Sequence, residues 1–115
     1  MRDMVPELIN SLRLPEHYPH PVDEIEVIET HISWLLLTGD YAYKIKKPVN
    51  FGFLDFTTLE QRRYCCDEEL RLNQRLAPDI YEAVIPISGS EADPSLGDDS
   101  APIEYAVRMR QFESG

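Results

Sequence analysis

Ser33-Trp34-Leu35-Leu36-Leu37-Thr38-Gly39-Asp40-Tyr41-Ala42-Tyr43-Lys44-Ile45-Lys46-Lys47-Pro48 carries the pattern of a β-hairpin. From Ile32 to Leu37 the side chains are mostly bulky and apolar, as a buried strand requires. Thr38-Gly39-Asp40 supplies a turn in which Gly39 is free to take positive φ. Tyr41 to Lys46 then alternates with period two, and Pro48 stops the strand. Upstream, Ile25 and Val27, with His31, alternate with polar residues. Three antiparallel strands are therefore predicted: Glu24 to Thr30, Ile32 to Thr38 and Tyr41 to Lys47.

Working outward, Asn50 to Phe56 reads as an aromatic loop. Thr57-Thr58-Leu59-Glu60 matches a capping box, which predicts a helix running to about Leu76, before Pro78. Ile80 to Ile87 is a fourth strand. Ser88 to Pro102, acidic and rich in Gly, Ser and Pro, is expected to be the most mobile loop. Ile103 to Phe112 is a final strand. Before the hairpin, Met4, Val5, Leu8, Ile9 and Leu12 fall at helical spacing in a short helix. Pro15 to Pro21 is a connector, with three prolines in seven residues. Its His17 and His20 have no third ligand nearby and read as exposed loop histidines rather than metal ligands. The fold class expected is α+β: one domain over residues 1–115, an antiparallel sheet of about five strands, one long helix packed on it and a short N-terminal helix.

The chain has 115 residues and a formal net charge of −10. Such a balance speaks against nucleic-acid or anionic-membrane partners. No apolar run reaches the roughly 20 residues that span a bilayer, and no signal-peptide pattern stands at the start. The two cysteines, Cys65 and Cys66, are adjacent, a spacing suited to neither an ordinary disulfide nor a zinc site, so a reduced, cytoplasmic setting is expected.

All three lysines, Lys44, Lys46 and Lys47, lie within four positions of an otherwise acidic chain, which makes this strand a candidate anion site. One face of the strand carries Tyr41, Tyr43 and Ile45, the other Ala42, Lys44 and Lys46. Lys46 and Lys47, beside Pro48, are expected to end in solvent. On a helical wheel of the long helix, Leu59, Cys65, Cys66, Leu70, Leu72 and Leu76 define one apolar arc, with Glu69 near its middle. A carboxylate there needs a cation or a raised pKa. Arg62, on the same arc, is a local partner. Lys44 is the alternative partner if the sheet packs on this helix.

Ala42-Tyr43-Lys44 on the third strand, followed by a helix that offers Glu69, resembles the Ala-x-Lys and helix glutamate of the protein-kinase-like N-terminal lobe. Thr30-His-Ile-Ser-Trp through Lys-Ile-Lys-Lys-Pro48, Asn50-Phe-Gly-Phe-Leu-Asp-Phe56 and Glu68-Glu-Leu-Arg-Leu-Asn-Gln-Arg-Leu-Ala-Pro78 extend the likeness. They are similar to bacterial aminoglycoside-phosphotransferase-like proteins, often fused to a P-loop ATP-binding domain and largely of unassigned substrate. The resemblance implies that Lys44 contacts ATP phosphates, Glu69 orients Lys44, and Ala42 lines the adenine site. Thr30 to Ser33 would lie over the phosphates. The Ile103 to Met109 strand would lead at Arg110-Gln111-Phe112 into a hinge. ATP with Mg²⁺ and a small-molecule acceptor would be the partners.

Two departures stand beside this likeness. The loop Thr30-His31-Ile32-Ser33 has no glycine, so phosphate contact there would fall to side chains. The carboxyl lobe, with its catalytic aspartate and metal ligands, has no counterpart in the chain. A fragment inactive on its own is therefore expected, able to self-associate through the face left open. The alternatives are a degenerate kinase-like lobe, or a plain α+β domain, that binds protein partners.

Overall fold

The computed structural model describes residues 6–48 and 57–111. In chain order these form α1 (Glu7–Ser11), a 3-10 turn (Pro15–His17), β1 (Glu26–Glu29), β2 (Ser33–Leu37) and β3 (Tyr41–Lys46). There follow α2 (Leu59–Leu76), β4 (Tyr81–Gly89), β5 (Pro94–Leu96) and β6 (Glu104–Arg110). The architecture is the expected α+β, with an antiparallel sheet in the order β1-β2-β3-β6-β4-β5 and one long helix on it. Met4, Val5, the Asn50 to Phe56 loop and Phe112 lie outside the described residues. No helix among the described residues is long and apolar enough to cross a membrane.

The β2–β3 hairpin forms where its pattern puts it. Thr38 closes the turn, its N–H and Oγ1 both donating to the Tyr41 carbonyl at 2.9 and 2.8 Å. Gly39 takes φ +108°. The alternation along β3 sorts its side chains to opposite faces of the sheet. Tyr43 and Ile45 enter a core with Trp34, Leu36, Ile87 and Ala106, sealed by Leu8, Ile9 and Leu12 around α1 and by Tyr18. Full burial of each such large apolar side chain contributes about 1.5–3 kcal/mol. Ala42 joins Val107, Met109 and Cys66 of α2 in a smaller cluster on the opposite face.

Four sequence expectations are corrected. The sheet has six strands, because β5 forms inside the segment read as a loop. Three residues are too few to show a period, but Ile87 pairs with Leu96 and both are buried. The capping box sits one residue later than Thr57–Glu60. Thr58 Oγ1 accepts from the Gln61 amide at 3.1 Å, and the Gln61 side chain accepts from the Thr58 amide at 3.3 Å. A glutamine completes this motif as well as a glutamate does.

Leu72 and Leu76, placed on the buried arc of α2, are 50% and 85% exposed. The stripe that meets the sheet contains Arg62, Cys66, Glu69 and Asn73, and those two leucines fall at its margin. Finally, His17 is buried rather than exposed, within 3.7 Å of carboxylates of both Glu16 and Asp93. His20 is partly buried, its Nε2 lying 2.8 Å from the Tyr43 hydroxyl.

Candidate functional site

The α2 stripe carries more polar than apolar groups, so side-chain ties contribute strongly to its docking. Arg62 Nε donates to both carboxylate oxygens of Glu104 on β6, at 3.0 and 3.1 Å. Glu69 pairs across the sheet instead of along the helix. Lys44 Nζ donates to Glu69 Oε2 at 2.8 Å, and Lys46 Nζ donates to Oε1 at 2.7 Å. The Glu69 side chain is 15% exposed, Lys44 26% and Lys46 9%. Burial by itself would push the Glu69 carboxyl up. Hydrogen bonds from Lys44 and Lys46, together with their charges, outweigh it and hold the carboxyl below its ordinary value. Glu104 goes the other way: its burial outweighs the Arg62 contact and raises its carboxyl.

Lys46 thus corrects the expectation for the lysine cluster. It is buried and ion-paired, not solvated. Lys47 is partly buried as well, paired to Glu29 and lying over the Trp34 ring at 5.2 Å. The signal for Lys46 was present in the sequence. Period two places it on the same face as Lys44, and only its nearness to Pro48 suggested solvent.

Register brings further predicted residues together. Ala42 stands between Leu37 on β2 and Met109 on β6, and both Ala42 and Met109 are buried. Lys44 stands between Leu35 and Val107. Ile28 on β1 is opposite Leu35, so it shares that face, and it is 43% exposed. Thr30, Ser33 and Lys44 line one open recess together with His31, Ile32 and Leu35. The face therefore offers an ammonium group beside an apolar strip, an arrangement suited to a flat ring that carries an anionic tail.

Thr30 and Ser33 border this recess but are engaged with each other. Thr30 Oγ1 accepts from the Ile32 and Ser33 amides at 3.3 and 3.0 Å and lies 3.0 Å from Ser33 Oγ. The turn is closed internally, and His31 is its exposed titratable side chain. At the far end of β6, the amides of Arg110 and Gln111, where the resemblance implies a hinge, are also engaged. Arg110 donates to the Ile80 carbonyl and Gln111 to the Asp40 carbonyl, at 2.7 and 2.9 Å. Gln111 Oε1 further accepts from the Gly39 amide at 3.1 Å, fastening β6 to the hairpin turn. Sequence reasoning missed this clamp because it joins residues 72 positions apart.

Among the described residues, no three of His, Cys, Asp and Glu stand together as a metal-binding group. Glu69, the carboxylate beside Lys44, already faces two ammonium groups, so these residues do not fit a magnesium ion.

The chain is 43% identical over 96 residues to uncharacterized proteins of Mycobacterium bovis and of two strains of Mycobacterium tuberculosis. The match covers 81% of this chain and 18% of each relative, so the chain spans under a fifth of the length of these proteins. No family model matches. No solved structure matches.

Proposed function

We propose that this chain is the ATP-binding lobe of a kinase-like small-molecule phosphotransferase. The observation that carries the reading is the 2.8 Å contact of Lys44 with Glu69, between a strand and a helix. Lys44 would meet the phosphates and Glu69 would orient it. The ring would lie on the strip formed by Ala42, Leu35 and Met109. Phosphoryl transfer relies chiefly on positioning and charge neutralisation, which an oriented lysine supplies. The magnesium ligands, the catalytic base and the acceptor contacts would come from beyond these residues, so the chain alone is expected to turn nothing over. The free thiols Cys65 and Cys66 support a reducing, cytoplasmic setting. The exposed Ile28, Ile32, Leu72 and Leu76 support self-association or cover by further protein.

A degenerate, protein-binding lobe is the second reading. It is favoured by the Thr30–Ser33 turn, whose Ile32 and Ser33 amides bond to Thr30 rather than facing the recess. Titration of the chain with MgATP, followed by amide NMR, separates the two. Shifts at Ala42, Lys44 and the β6 amides up to Met109 are expected. Shifts confined to the exposed arginines of α2, Arg63 and Arg71, would sink the phosphotransferase reading.

A further inference from the structure

Glu69 is held twice, and its two holders differ. Lys46, 9% exposed, occupies Oε1 from the interior. Lys44, 26% exposed, occupies Oε2 and lines the recess with Leu35 and the Thr30–Ser33 turn. An anion that enters the recess meets Lys44. If Lys44 were the sole counter-charge, turning its ammonium to that anion would strip a largely buried carboxylate of compensation, and burial punishes this strongly. With Lys46 in place, the carboxylate keeps a full positive charge while Lys44 moves.

Among the described residues, the other groups near Glu69 are engaged elsewhere or uncharged. Cys65 and Cys66, the nearby thiols, are both pushed up by burial, Cys66 to about 12, and stay neutral. Asn73 Nδ2 donates to the Glu69 backbone carbonyl at 2.8 Å, not to its carboxylate. Arg62 is bound to Glu104.

We propose that Lys46 is a positioning residue for the anion site: it keeps the Glu69 carboxylate and helix α2 in place while Lys44 turns to a phosphate in the recess. The identity of the anion rests on the phosphotransferase reading. The division of labour between the lysines rests on the contacts just described.

The test follows the Glu69 side-chain carboxyl by carbon NMR across pH, and MgATP binding by amide NMR, in the wild-type chain and in Lys44→Met, Lys46→Met and Lys46→Arg. Lys46→Met is expected to raise the Glu69 midpoint by about one pH unit or more, equivalent to tenfold in the proton equilibrium. Lys44→Met is expected to move it less, and Lys46→Arg to restore it. MgATP should bind Lys46→Met about tenfold more weakly than wild type, a loss that Lys46→Arg recovers. A larger midpoint shift in Lys44→Met than in Lys46→Met, or none in the latter, overturns the proposal. If wild type ignores MgATP while the midpoints behave as expected, the phosphotransferase reading fails and the role of Lys46 in holding Glu69 stands. If Lys46→Met loses its native amide dispersion, Lys46→Gln replaces it. Loss of the fold in both, with Lys44→Met still folded, supports Lys46 as the principal holder. The reverse pattern overturns it.

Discussion

Arg62 Nε lies 3.0 Å from Glu104 Oε1, although Glu69 shares its helix and its face two turns away. That choice shapes the site. With Arg62 bound to the rim of β6, the Glu69 carboxylate points across to β3, where two ammonium groups meet it. These two ionic ties help fasten the helix to the sheet, beside a small apolar contact through Cys66 and the Gln74 side chain donating to the Tyr81 and Glu82 carbonyls of β4.

Glu69→Gln should therefore be costly. It removes the shared counter-charge of two lysines, one of them buried. Breaking a buried pair on one side costs roughly 3 kcal/mol. Urea unfolding checks this, and a loss below about 1 kcal/mol, the range of exposed pairs, would show the site to be effectively solvated.

Acid should act through the same carboxylate. Glu69 has a folded value below its ordinary 4.5. Its stabilising contribution is therefore complete above 4.5 and is lost as pH falls through the lowered folded value. Glu104, with a raised folded value, acts in the opposite sense, losing stability as pH rises past 4.5. Melting temperatures from about pH 6 to about pH 3 should fall more steeply for wild type than for Glu69→Gln. Parallel curves would refute the assignment.

The adjacent cysteines should differ in reactivity. Cys66, on the face of α2 that meets the sheet, is fully buried, and burial pushes its thiol up to about 12, whereas Cys65 is partly exposed. The thiolate is the reactive form. Alkylation of the native chain at mildly alkaline pH should label Cys65 first, with Cys66 labelled only on unfolding. Equal rates, read by peptide mass mapping, would contradict the packing of α2.

Two glycines at positive φ should respond unequally to alanine. Gly39, at φ +108°, has open space around it, so Gly39→Ala should cost about 1 kcal/mol of backbone strain. At Gly89, φ +91°, an added Cβ would come within 2.5 Å of the Asp93 carbonyl oxygen. Gly89→Ala adds this clash to the strain, and should cost more, roughly 2–3 kcal/mol, by detaching β5. Chemical denaturation of the two variants gives the comparison, and equal losses would show that the β4–β5 turn yields freely.

Where a local period was strong, sequence and structure agree. The run Ile32–Leu37, the turn at Gly39 and the alternation of Tyr41–Lys46 produce β2 and β3 with Lys44 and Ala42 on one face. The helix to Leu76 follows in the same way, and the strand expected from Ile103 forms as β6 from Glu104. Glu69 on the inward arc was legible because a carboxylate among apolar neighbours stands out on a wheel. Local signals ran out where elements are short or where cost is shared between distant groups. β5 has too few residues for a period, and the pattern could not choose Thr58 over Thr57 as the cap of α2, because either threonine has a partner three residues on.

Which partner each charge takes was decided only by the assembled sheet. Arg62, Lys44 and Lys46 could each have served Glu69. Antiparallel register places β6, and hence Glu104, under Arg62, and sets both lysines beneath α2. Burial then makes every unpaired alternative costly. The sequence by itself determined five of the six strands, the inward carboxylate and the basic face that awaits it. The tertiary structure decided that two lysines, not one, hold that carboxylate, because only packing brings residues 23 and 25 positions apart to hydrogen-bond distance.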